Sequence, residues 1–271
     1  MRSSFIGRLA LLHAAALVLT GGSATGADLP SPPAPAAVYR PVPVVPAFTW
    51  TGCYGGANIG GGWASTHAYD TNGVITGFAG AAVLNSDLRS RTGGGIVGGG
   101  QLGCDYQIDR FVLGIQGMID ASGMKPSIAE PAGNFTIDSS IPWFATVTAR
   151  AGIAVVPTGL LYVKAGGAFM KNNLSTTVTP AGSAFLGVPP GLAASASYNA
   201  SGWTAGGGFE WAFADKWSVF AEYDYLNFGT PTINFTSAGT VVVPATFQLG
   251  VQQNVSVFMV GINARFGPGA F

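Results

Sequence analysis

Residues 143–153, WFATVTARAGI, change character at every step. Trp143, Ala145, Val147, Ala149, Ala151 and Ile153 fall on one side of an extended chain, and Thr146, Thr148, Arg150 and Gly152 on the other. Only a β-strand, with its period of two, separates the sets this cleanly. The division recurs in LYVKAGGAF, where Leu161, Val163 and Phe169 oppose Lys164, and in WTAGGGFEWAF, where Trp203, Phe209, Trp211 and Phe213 oppose Glu210. In WSVFAEYDY, Trp217, Val219 and Tyr223 oppose Phe220, Glu222 and Asp224; in FMVGINARF, Phe258, Val260, Ile262 and Phe266 oppose Met259 and Arg265. Segments 51–63, 94–107 and 111–123 complete eight strands, the last setting Gln116 and Asp120 against Leu113, Ile115 and Ile119. Every strand charge lies on the second face.

The connections alternate as well. Those near 108–110, 156–159 and 214–216 are tight turns, whereas 65–92, 124–140, 172–200 and 230–252 read as long loops rich in Ser, Thr, Asn and Gly. The pattern predicts an all-β fold: an eight-stranded antiparallel up-and-down transmembrane β-barrel with short periplasmic turns and four long extracellular loops. A soluble barrel of the same strand number points its apolar face inward and carries a charged outer wall. Only 9% of these 271 residues are charged, against roughly 25% in ordinary soluble domains. Trp50, Trp143, Trp203, Trp211, Trp217, Tyr223 and Tyr225 stand at strand ends, where rings with polar tips suit a membrane interface. The formal net charge is zero and no basic run exists, which excludes nucleic acid as a partner.

The N-terminus carries an address. Arg2 and Arg8 precede an apolar run, 9–19, and small residues ending at Ala27, so residues 1–27 read as a secretory signal peptide cleaved before Asp28. Residues 28–47 follow as a proline-rich periplasmic tether, since seven prolines in 29–48 favour extended, semi-rigid chain. The barrel is expected over 48–266 and a short C-terminal extension over 267–271.

The inward face carries its own chemistry. Counted from the periplasmic turns, Arg150, Lys164, Glu210 and Glu222 lie at a similar height on consecutive strands, with Gln101 and Gln116 level with them. An eight-stranded barrel is just wide enough for side chains to fill it, and a buried charge must be paired. A lumenal salt-bridge layer is therefore expected, with Arg150 neutralising Glu222 or Glu210, and Asp120, Asp224 and Arg265 extending it above and below. The competing reading is a proton or ion path. Glycine, abundant at 41 residues, gives bulky inward neighbours room in so narrow a ring.

Cys53 and Cys104 lie near the start of the first strand and the end of the second, on the outward set. Antiparallel pairing brings those ends together, and a disulfide is the favoured state outside the cytoplasm; two free thiols or a bond to another protein are the alternatives. No metal or cofactor site is expected. His67, beside STHAYD, reads as a solvated loop residue, and a Ser, His and Asp in one loop do not make a triad. The G-x-G-x-x-G match at Gly93, Gly95 and Gly98 precedes a strand and not a helix that could hold phosphate.

The segments FTWTGCYGGANIGGGW, GGGIVGGGQLGCDYQ, FVLGIQG, WFATVTARAGIA, LLYVKAGGAF, GWTAGGGFEWAF, WSVFAEYDY and VGINARF, in that order, resemble the strands of the small alphaproteobacterial outer-membrane immunogenic proteins, a porin-family branch of the OmpA-like barrels. The resemblance implies delivery through the barrel-assembly machinery, a place among outer-membrane lipid and lipopolysaccharide of a Gram-negative bacterium, and a non-enzymatic structural role supporting envelope integrity. A terminal aromatic that signals assembly corresponds to Phe266, although GPGAF follows and ends in Phe271. The loops are candidates for engaging a host or envelope ligand. The alternative function is a narrow porin-like channel for small solutes.

Overall fold

The computed structural model describes residues 48–71, 86–129, 134–186, 190–191, 193–235 and 247–267. The expected signal peptide and tether, Phe271 and most of the C-terminal extension lie outside them. The described elements are β1 (Gly52–Asp70), β2 (Ser86–Ile108), β3 (Phe111–Met124), β4 (Ser127–Ala129), β5 (Phe135–Val156), β6 (Gly159–Val178), α1 (Pro180–Leu186), β7 (Ala193–Ala214), β8 (Trp217–Asn227), β9 (Thr232–Phe235) and β10 (Phe247–Phe266). Each long strand pairs antiparallel with the next, and β1 pairs with β10 from Cys53↔Phe266 to Asp70↔Leu249, which closes the ring. The ring has eight strands. β4 and β9 resume β3 and β8 after breaks, pairing β5 and β10 respectively.

Tight turns join the strands at one end. Two residues link β2 to β3, β5 to β6 and β7 to β8. Asp109 takes a φ of 54° in the first of these, a left-handed conformation that Asp tolerates better than most side chains.

Alternation decides which face is filled. On β5, Phe144, Thr146, Thr148 and Arg150 are buried in the lumen, while Trp143, Val147, Ala149 and Ala151 face out. The outward residues form an apolar belt running on β7 from Trp203 to Phe213 and on β10 from Phe258 to Phe266, eleven and nine residues. A tilted membrane strand needs about 9–11. Trp63, Trp143, Trp203 and Tyr225 mark its upper rim, Trp203 and Tyr225 with ring centroids 5.6 Å apart; Trp211, Phe213, Trp217 and Phe266 lie toward the tight turns.

The strands do not stop at the belt. β7 is 22 residues long and β5 also 22, so both continue well into the spans expected as loops 124–140 and 172–200. The other two expected loops are likewise entered by β1 and β2 and by β9 and β10. Above the rim the outward positions change to Ser65 on β1, Ser140 on β5, Asn173 and Ser175 on β6, and Ser197 and Ser201 on β7. Water replaces lipid there, so apolar alternation vanishes from the sequence while the hydrogen-bonded ladder goes on. His67 belongs to β1 and not to a loop: its ring stacks on Tyr69 with centroids 4.5 Å apart.

Candidate functional site: the filled lumen

The lumen is occupied in strata. At the tight-turn end the chain entering β1 turns into the barrel mouth. Trp50, expected at the membrane interface, is instead 0% exposed, packed with Val112, Leu160, Tyr162 and Ala212, with Phe48 and Ala154 against them. Its backbone N–H donates to Gln107 Oε1 at 2.7 Å, and the Arg265 guanidinium stands 4.6 Å from its ring centroid. A large indole fills this mouth because the segment before β1 is held by Gln107 and not paired as a strand.

The charged stratum lies above it and consists of two clusters where the sequence suggested one layer. In the first, Arg150 Nη2 binds Glu210 Oε2, and Arg150 Nη1 donates to the Tyr54 hydroxyl at 3.0 Å and lies 3.8 Å from Asp105. Arg265 reaches Asp105 at 2.7 Å. Glu210 also accepts from Ser218 and from Asn263 Nδ2. Gln101 donates to Asn263 at 2.8 Å, and Asn58 to Gln101 at 3.0 Å. This relay ties β1, β2, β10, β7 and β5 across the interior.

The second cluster centres on Lys164, whose Nζ lies 2.9 Å from Glu222 and 2.8 Å from Asp224 and donates to Gln116 Oε1 at 3.2 Å. Tyr162 joins the two clusters: its hydroxyl donates to Glu222 at 2.8 Å and its ring lies 3.7 Å beneath the Arg150 guanidinium. Arg150 and Lys164 are direct cross-strand partners, a repulsive pairing relieved by the separate carboxylates that each engages. Asp120 is buried, but it makes no ion pair among the described residues.

Room for these groups comes from glycine. A Cβ on Gly103 would collide with the Tyr54 hydroxyl, and one on Gly206 with the Asp224 carboxylate. Above the charges the lumen turns apolar: Met118, Met124, Met170 and Met259 pack with Phe144, Ile141, Leu226, Val255 and Val257. Higher still, Ser139, Asn172, Tyr198 and Gln253 form a polar layer, Asn172 donating to Gln253 at 2.6 Å.

Among the predicted residues, Arg150 and Glu210 meet directly, as do Lys164, Glu222 and Asp224; Gln101 and Gln116 serve different clusters. Asp105, Tyr54, Tyr162, Asn263 and Ser218 were not singled out from sequence. The signal existed for Asp105 and Tyr54, which share the inward parity of Gln101 and Asn58, but both lie near strand ends where aromatic residues suggest lipid interface. Cys53 and Cys104 are directly opposed and joined as a disulfide on the outward surface. Phe266 ends β10 facing outward, opposite Cys53. No three potential ligands gather as a metal site among the described residues.

Known proteins resemble this chain over most of its length. A family model described as "Outer membrane protein beta-barrel domain" matches residues 15–254. The 31 kDa outer-membrane immunogenic protein of Brucella melitensis is 28% identical, over 94% of this chain and 98% of its own length. The 25 kDa outer-membrane immunogenic protein of the same species is also 28% identical, over 94% and 97%. Among solved structures, the outer membrane protein OprG of Pseudomonas aeruginosa aligns with a TM-score of 0.47 at 14% identity, over 80% of this chain and 96% of that one. The chain therefore belongs to the outer-membrane protein β-barrel domain family, and its place is the Gram-negative outer membrane.

Proposed function

We propose that this protein is a structural, non-catalytic barrel with a closed lumen, supporting envelope integrity and presenting its extended strand ends and loops at the cell surface. The observation that carries this reading is the stacking of an aromatic stopper, two salt-bridge clusters and a methionine-rich apolar layer within one narrow interior. A conducting path through it requires buried ion pairs to separate, and leaving a charge unpaired there costs about 3–5 kcal/mol. On this reading Phe266 is the aromatic presented to the barrel-assembly machinery, lipopolysaccharide surrounds the upper belt, and host or envelope ligands meet the loops.

The test is single-channel conductance of the refolded mature protein in a planar bilayer, beside Arg150→Ala and Glu222→Ala. A silent wild type with leaky or unstable variants is expected. Steady wild-type openings would overturn the closed lumen and make the narrow solute channel the better reading.

A further inference from the structure

Above the aromatic rim, strands β5, β6 and β7 carry an outward face that the filled lumen does not use. Its side chains pair across the strands in two rows, Asp138, Ser175 and Ser195 in one and Ser140, Asn173 and Ser197 in the other. Strand geometry sets neighbours roughly 4.8 Å apart across the rows and roughly 6.7 Å along each strand. Together with Lys125 and Pro126, from the corner between β3 and β4, they line a cleft of about 650 Å³, within the usual range for small-ligand sites of ~300–1,000 Å³.

The cleft's chemistry is narrow. Ser140, Asn173, Ser175, Ser195 and Ser197 form no side-chain hydrogen bond with another described side chain. Each hydroxyl offers one donor and two acceptors, and the amide offers two of each. Lys125 and Asp138 cancel in charge, and Lys171, in the row just below the grid, adds one cation, which falls short of the cationic cluster that binds phosphate or sulfate groups. At this height β5 and β6 are paired on both sides, whereas β7 above Trp203 pairs with β6 alone; a peptide strand added at that edge would lie beside the grid and leave its side chains uncovered. Apolar ligands would find little to cover. What fits is a neutral molecule that is itself dense in hydroxyls.

Position narrows the source. The grid's lower row, Ser140, Asn173 and Ser197, stands one row above Trp143, Lys171 and Asn199, on the side facing away from the lumen, and so faces the headgroup layer of the surrounding leaflet. We propose that this cleft binds uncharged sugar units of the glycolipid in the protein's own outer leaflet. The proposal rests on the orientation in the reading above, with the long strand ends outside the cell.

The experiment uses the full mature chain in phospholipid nanodiscs, titrated with lipopolysaccharide and, separately, with the delipidated saccharide released from it, binding being read by native mass spectrometry. The Ser140→Ala/Ser175→Ala/Ser197→Ala variant should bind lipopolysaccharide at least roughly tenfold more weakly than wild type, as expected for three lost hydrogen bonds. Ser175→Thr, which keeps its hydroxyl, should bind like wild type, and it supports the comparison if the triple variant folds poorly. Equal binding by wild type and triple variant overturns the site. Delipidated saccharide binding as tightly as the intact glycolipid overturns the assigned source in favour of a soluble glycan. A conducting wild type would refute the closed lumen and leave this titration standing.

Discussion

Replacing Lys164 with methionine should destabilise the barrel more than the same change at Arg150. Arg150 has substitutes: without it, Glu210 keeps Ser218 and Asn263 as donors, and Asp105 keeps Arg265 at 2.7 Å. Lys164 has none of comparable charge among the described residues, because it is the cation lying 2.9 Å from Glu222 and 2.8 Å from Asp224, and its loss leaves Glu222 with only the Tyr162 hydroxyl among them. Breaking a buried pair by removing one partner costs about 3–5 kcal/mol, most of it the price of the charge left behind. Lys164→Met belongs at the upper end of that range and Arg150→Met at or below the lower end. With a urea slope of about 2 kcal/mol/M, the Lys164→Met midpoint falls by roughly 2 M. The assay is urea unfolding in lipid vesicles, followed by tryptophan emission and by the migration of unheated samples on gels. Glu222→Gln and Asp224→Asn added to Lys164→Met should restore most of the loss, since they remove the stranded charges. If Lys164→Met unfolds within about 1 kcal/mol of wild type, or the added substitutions do not rescue it, the lumenal charges are not balanced as described.

Three further outcomes follow from other parts of the barrel. Trp50→Ala should cost about 3–5 kcal/mol and open the periplasmic mouth to solvent, read as faster hydrogen exchange at the tight-turn end. Gly206→Ala should destabilise by more than about 1 kcal/mol, because its Cβ meets the Asp224 carboxylate, whereas Gly61→Ala, with nothing within 4 Å, should change the urea midpoint little. Ile59→Arg, in the middle of the belt on β1, should cost about 2–4 kcal/mol in vesicles, and Ser65→Arg on the same strand above Trp63 about 0–1 kcal/mol; equal costs would mean the membrane boundary is misplaced.

Much of this architecture is legible in the sequence because the two sides of each strand meet different solvents. Val147 and Arg150 could not share a face in any environment, so parity alone separates lipid from lumen, and the tight turns then fix which strands neighbour each other. That is also why Cys53 and Cys104 can be matched before any coordinates. Legibility fails where the environments become alike. Above the rim both faces of β6 and β7 carry polar residues, Asn172 inward and Asn173 outward for example, so strand reads as loop. Trp50 fails for another reason: the segment holding it is positioned by Gln107, 57 residues away, and no local period announces such a contact. Within the charges, parity identifies the inward set but not the pairing, since whether Arg150 turns toward Glu210 or Glu222 depends on where Tyr162 and Lys164 stand.

The relay from Asn58 through Gln101 and Asn263 to Glu210 has a consequence for assembly. It takes one member from each of the first two strands and one from the last, and Arg265, the second cation of the lower cluster, is also on the last strand. An open sheet lacking β10 therefore keeps Glu210 and Asp105 incompletely partnered, and such groups are better left in water than carried into a dry interior. Closure of the ring and neutralisation of its contents become one event, so the chain has reason to stay hydrated until its C-terminal strand arrives.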